Sequence, residues 1–119
     1  FVKEPWINES FANYSMYQVL KEFNAVEYER LLAKNRELSK NAISVSSASL
    51  FAADAYMSYY HKGSIHLMDL EAKIGPELMQ QLLSNCIEKR LETTEEFLQE
   101  LENLTNKENR KFFEGLLKS

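Results

Sequence analysis

The sequence predicts an all-α fold, a compact bundle of about six helices, on three observations. Gly and Pro together number 5 in 119 residues, where average usage gives roughly 14. Leu and Glu each occur 16 times, whereas Val, Ile and Thr together reach 12. Such a balance favours helix over strand. Apolar residues also recur at steps of three and four along most of the chain. A β-sandwich or barrel, which needs many turns, is excluded on this composition.

The first helix is expected over Trp6–Phe23, just after Pro5. Trp6, Ile7, Phe11, Tyr14, Met16, Tyr17, Val19, Leu20 and Phe23 cover nearly all of its faces. A helix apolar all round is usually central to a larger structure. The second, Val26–Lys40, carries a narrow stripe of Tyr28, Leu31, Leu32 and Leu38 and reads as a surface helix. Asn41–Asp54 follows as a Ser-rich loop, because short hydroxyls compete for local backbone bonds.

The third helix is expected over Ala55–Ile74, with Tyr60, Gly63, Leu67, Leu70 and Ile74 on one stripe and Gly75-Pro76 ending it. The fourth runs Pro76–Leu91 and turns Met79, Leu82, Leu83 and Cys86 inward. Thr93 and Glu96 form a capping-box signature that opens a fifth helix, with Phe97, Leu98, Leu101 and Leu104 on its apolar face. Asn106 caps a sixth, whose stripe is Phe112, Phe113, Leu116 and Leu117. Residues 1–119 make one domain on length, with no repeat and no linker.

The net charge of -4 builds no basic face, so nucleic acid is disfavoured as a partner. The longest uncharged run, Asn41–Ala53, is too short and too polar to span a bilayer. The opening Phe1-Val2-Lys3-Glu4 suggests a piece of something longer. Cys86 is the lone cysteine and reads as a small core hydrophobe. His61 and His66 stand five apart, about 140° from a shared helix face, which is not the pair that binds zinc. They read as solvated or capping residues. Glu88–Arg90 and Glu95–Glu102 read as solvated faces, with Glu92–Glu96 and Glu96–Glu100 as mildly unfavourable like-charge pairs.

Two segments stand apart. Trp6-Ile7-Asn8-Glu9-Ser10-Phe11-Ala12-Asn13-Tyr14 sets one carboxylate, Glu9, in the first turn of an apolar helix. By itself Glu9 is a helix-start acid suited to the dipole. Tyr59-Tyr60-His61-Lys62-Gly63-Ser64 sets a phenol on a buried stripe. By itself Tyr60 is a core tyrosine with a bonded hydroxyl.

Taken together and in order, these segments resemble the aminopeptidase N family of zinc metallopeptidases, the gluzincins. The family carries Trp-Leu-Asn-Glu-Gly-Phe-Ala-x-Tyr downstream of an HExxH helix, and later Tyr-x-Lys-Gly-Ala. Ile74-Gly75, Thr93–Leu98 and Lys111–Leu117 continue its C-terminal helical pattern, so the likeness covers nearly the whole chain. The resemblance implies the C-terminal helical subdomain of a catalytic domain that hydrolyses peptides. It implies that Glu9 is the third zinc ligand of a His₂Glu site and that Tyr60 donates to the oxyanion.

The HExxH motif, with two ligands and the general base, would lie upstream of Phe1. Zn²⁺ is therefore expected in the longer protein, and these 119 residues alone are expected to be inactive. Ser10 replaces the family's usual Gly. A short Glu9–Tyr60 interval leaves Tyr56 or Tyr59 as alternatives to Tyr60. The uncovered first helix is expected to self-associate. The rival reading is a degenerate relative or helical interaction module without catalysis.

Overall fold

A computed structural model describes residues 6–40, 42, 44–45 and 61–119. Among the described residues six helices follow one another: α1 Trp6–Phe23, α2 Ala25–Ser39, α3 Gly63–Ile74, α4 Pro76–Glu88, α5 Thr94–Leu104 and α6 Lys107–Lys118. Among the described residues there is no strand. The expected all-α bundle is the observed architecture. No helix among the described residues is long and apolar enough to cross a membrane.

Local chemistry sets the boundaries. Asn24 alone separates α1 from α2, and its side chain accepts the Glu27 N–H at 3.1 Å. This satisfies a backbone donor left open by the new helix. Gly75 alone separates α3 from α4, at φ 92° and ψ 157°. Only glycine enters that region without strain. Pro76 then occupies the first helical position.

α4 stops at Glu88, short of the expected Leu91, because Arg90 turns left-handed at φ 55°. The box at α5 is complete: Thr93 accepts from the Glu96 N–H, and Glu96 accepts from the Thr93 N–H, both at 3.1 Å. Asn106 accepts the Asn109 N–H at 2.8 Å to begin α6.

The first four helices run up, down, up and down. Lys21 near the end of α1 lies over the Tyr28 ring near the start of α2. Tyr17 further back accepts from Asn35 further on. Likewise Arg36 of α2 pairs with Asp69 of α3, while Ala42 beyond α2 accepts from Lys62 just before α3. α1 and α3 are therefore parallel. Asn13 bonds Ser64, and five residues later Gln18 meets Met68. Glu22 shares a concavity with Pro76, and Ile7 shares another with Leu91, so α4 runs back along α1.

The aromatic centre joins both halves. Trp6 packs edge-on against Phe97 at 5.9 Å and beside Phe113 at 6.1 Å. Its indole Nε1 donates to Thr94 Oγ1 at 2.8 Å, so the start of α1 is fastened to the start of α5. The apolar body of the tryptophan is thereby buried and its polar tip satisfied.

Two expectations need correcting. The inner face of α2 follows Tyr28, Asn35 and Ser39, with Leu31 and Leu32 partly covered, and leaves Leu38 exposed. Leu38 lies one residue, about 100°, from that register. In α3 burial does not stop at a stripe, since Gly63 through Met68 are all buried. α1, apolar all round in sequence and expected to be uncovered here, is indeed buried on one side only: Met16, Val19 and Phe23 are exposed. The Ser-rich loop lies mostly outside the described residues, as does the expected start of the third helix at 55–60.

Candidate functional site

The parallel course of α1 and α3 decides what stands near what. Both helices begin at one end of the bundle, where α2 and α4 finish and α5 starts. Glu9 lies there, partly buried in the first turn of α1, between buried Ile7 and Ser10. The positive end of the helix favours a carboxylate at this position.

One turn further on, Asn13 Nδ2 donates to Ser64 Oγ at 3.1 Å, and Ser64 Oγ donates to the His61 carbonyl at 2.9 Å. This relay clamps the second turn of α1 to the first turn of α3. Ser64 is fully buried, so its hydroxyl needs such partners. Tyr60, with Tyr56 and Tyr59, lies outside the described residues. A mostly apolar concavity of about 300 Å³ opens beside the Glu9 turn, lined among others by Ile7, Phe11, Cys86 and Leu91.

Among the described residues, no three His, Cys, Asp or Glu side chains gather closely enough to hold a metal ion. Glu9 supplies one oxygen donor at this end, and one carboxylate is not a metal site. Cys86 is buried and its thiol is pushed up to about 12 by burial, so it behaves as the small hydrophobe the sequence suggests.

The histidines differ from their expected solvated role. His66 is 6% exposed, and among the described residues neither ring nitrogen has a hydrogen-bond partner. Burial pushes its pKa down to about 4, with Lys62 and Arg36 adding to the effect and Asp69 opposing it. Burial also lowers His61 from its ordinary value. A single His on a helix gives no sequence sign of such burial, which depends on what the fold packs around it.

The acidic run of α5 also departs from its expected solvated face. Glu100 is buried and accepts from Lys89 at 2.7 Å and Asn85 at 3.0 Å, which ties the end of α4 to α5. Lys89 holds its carboxyl below the usual range. Arg110 of α6 gathers Glu95 at 2.7 Å, Glu114 at 3.0 Å and Glu102 at 3.3 Å. The like-charge helix faces are thus offset by a cation from a neighbouring helix. Tyr14 donates to Glu71 across the α1–α3 interface, and burial is the main cause of its raised pKa.

No family model, curated protein or solved structure matches the chain.

Proposed function

We propose that the chain is the C-terminal helical part of a zinc metallopeptidase catalytic domain, of the aminopeptidase kind. The observation that carries the reading is the ordered pair of segments Trp6–Tyr14 and Tyr60–Ser64. The parallel packing of α1 and α3 supports it, because the helix starting with the first segment and the helix following the second begin at the same end.

In a longer protein Glu9 would contribute a carboxylate oxygen to a zinc ion held with two histidines from an HExxH segment. Such an ion would supply Lewis-acid chemistry for peptide hydrolysis. The chain's own part is positional. Glu9 is held on a rigid helix whose next turn is bonded to α3. The Tyr60 hydroxyl donates to the oxygen that gains negative charge, an interaction whose loss costs roughly 10²–10³ in rate. The peptide substrate approaches this end of the bundle.

The exposed stripe Met16, Val19 and Phe23 on α1, continued by Val26, supports a second element of the reading. This face is covered by a preceding helix in the longer protein, and in the 119-residue chain it promotes self-association.

A scaffold or helical interaction module is the alternative, and the test separates the two. The longer protein should contain HExxH upstream of Phe1, bind one zinc and cleave peptides. Glu9→Gln should remove zinc and activity together, while Tyr60→Phe should keep zinc and lose rate. A longer protein without the histidines, or a Glu9→Gln variant with unchanged zinc and activity, would establish the scaffold instead.

A further inference from the structure

A second concavity, of about 350 Å³, lies between the end of α2 and the start of α3. Arg36, Ser39 and Lys40 reach it from α2, and Lys62, His66 and Asp69 from α3 and the turn before it. Its charge is opposite to that of the chain. Among the described residues three fixed cations face the Asp69 carboxylate and Ser119, whose terminal carboxylate is a second anion in the 119-residue chain, so the lining keeps a net positive charge in a protein of net charge -4.

Asp69 is already committed, accepting from Arg36 Nη2 at 2.8 Å. Lys62 Nζ donates to the neutral carbonyl of Ala42 at 2.9 Å, a contact that leaves its charge unbalanced. Lys40 pairs only with Glu37, both largely exposed on one helix, and such pairs are weak and exchangeable.

Two neutral groups point the same way. Ser39 is 5% exposed and His66 6%, and among the described residues neither the Ser39 hydroxyl nor the His66 ring has a hydrogen-bond partner. Buried polar groups are ordinarily satisfied, and those that are not call for a partner from outside. Near neutral pH an uncharged imidazole offers one N–H, and a hydroxyl offers another donor. The Ser39 hydroxyl and both His66 nitrogens are covered in this structure, so they add donors to the cationic lining only once their side chains turn toward it.

We propose that this pocket binds a small oxyanion, a phosphate or a carboxylate, through Arg36, Lys40 and Lys62, with Ser39 and His66 as its neutral partners. The cations supply the attraction. The hydroxyl and imidazole, brought to the ligand by small side-chain rotations, supply direction. The pocket is within the size range of small-molecule sites.

The test titrates the 119-residue chain with sodium phosphate and, separately, sodium acetate, at constant ionic strength against sodium chloride. The His66 ring-proton resonances report the site. The expected result is a saturable shift of those signals. Lys40→Gln, a change at an exposed side chain, and Lys62→Gln should each weaken binding severalfold, and together by about tenfold or more. A response to phosphate alone assigns a phosphoryl ligand, and a response to acetate assigns a carboxylate. His66 signals that follow the chloride control, or a Lys40→Gln variant that titrates as the original does, would overturn the proposal.

Discussion

α1 and α3 are parallel neighbours, yet they exchange the roles their sequences suggest. α1 carries apolar residues on every side, but Val19 and Phe23 are 58% and 82% exposed. α3 carries Ser64, His66 and Asp69 among its apolar residues, and is buried from Gly63 to Met68. The difference is one of neighbours. α3 packs along α1, against α4 folded back from Gly75, and against α6, where Lys73 lies over the Phe112 ring. α1 has partners on one side only. An apolar surface marks where a partner belongs, and a helix becomes central when its neighbours are in the same chain.

The largest effect should come from truncating each helix on its own terms. Leu67 in α3 is fully buried, and Leu67→Ala should cost about 2–5 kcal/mol. Val19→Ala in α1 should change stability by less than about 0.5 kcal/mol. Urea denaturation midpoints compare the two directly. Similar losses would break the contrast.

Acid should act on α3 next. The folded-state pKa of His66 is about 4, against an ordinary 6.5. Above pH 6.5 both folded and unfolded states hold a neutral ring. Below it the unfolded state takes the proton first, so stability falls with decreasing pH and levels off under about pH 4. The full loss should be roughly 3 kcal/mol. His66→Phe should flatten that part of the profile, measured by denaturation at a series of pH values. A slope that survives the substitution would show that other groups titrate there.

Much of this architecture is legible in the sequence, and the parts that are not share a cause. The Thr93–Glu96 box, the Asn106 cap and the Gly75-Pro76 stop are local. Their partners lie within four residues, so the residues announce them. The inward face of α2 is not local. Asn35 is buried because Tyr17 of α1 accepts its amide proton at 2.5 Å. Arg110 gathers Glu95 and Glu102 only because α5 and α6 fold back on each other. His66 likewise is buried by packing that its neighbours in sequence do not announce. Glu9 and Tyr60 stand out only through the resemblance of their segments, while the clamp from Asn13 to Ser64 depends on helix pairing and becomes visible only in three dimensions.

Smaller effects sharpen the comparison at the helix ends. Gly75→Ala should cost about 1–3 kcal/mol. Its added Cβ meets nothing within 4 Å, so the cost comes from φ 92° alone. Arg90→Gly should gain up to about 1 kcal/mol by relieving a left-handed residue at the end of α4. Thermal melts of both variants check the pair, and a neutral Gly75→Ala would contradict the backbone assignment. On the outer face of α1, Phe23→Glu should leave the melting temperature nearly unchanged while lowering the scattering mass at high concentration. An unchanged mass would remove self-association from the reading.

The most direct measurement is zinc content and peptide hydrolysis of the longer protein with and without Glu9→Gln. One zinc per chain and measurable hydrolysis, both lost in a variant that still melts as the original does, is the result expected if the start of α1 carries a metal ligand. A variant that keeps its zinc and its activity, or a longer protein that never held zinc, would contradict it and leave the parallel α1–α3 pair as a scaffold.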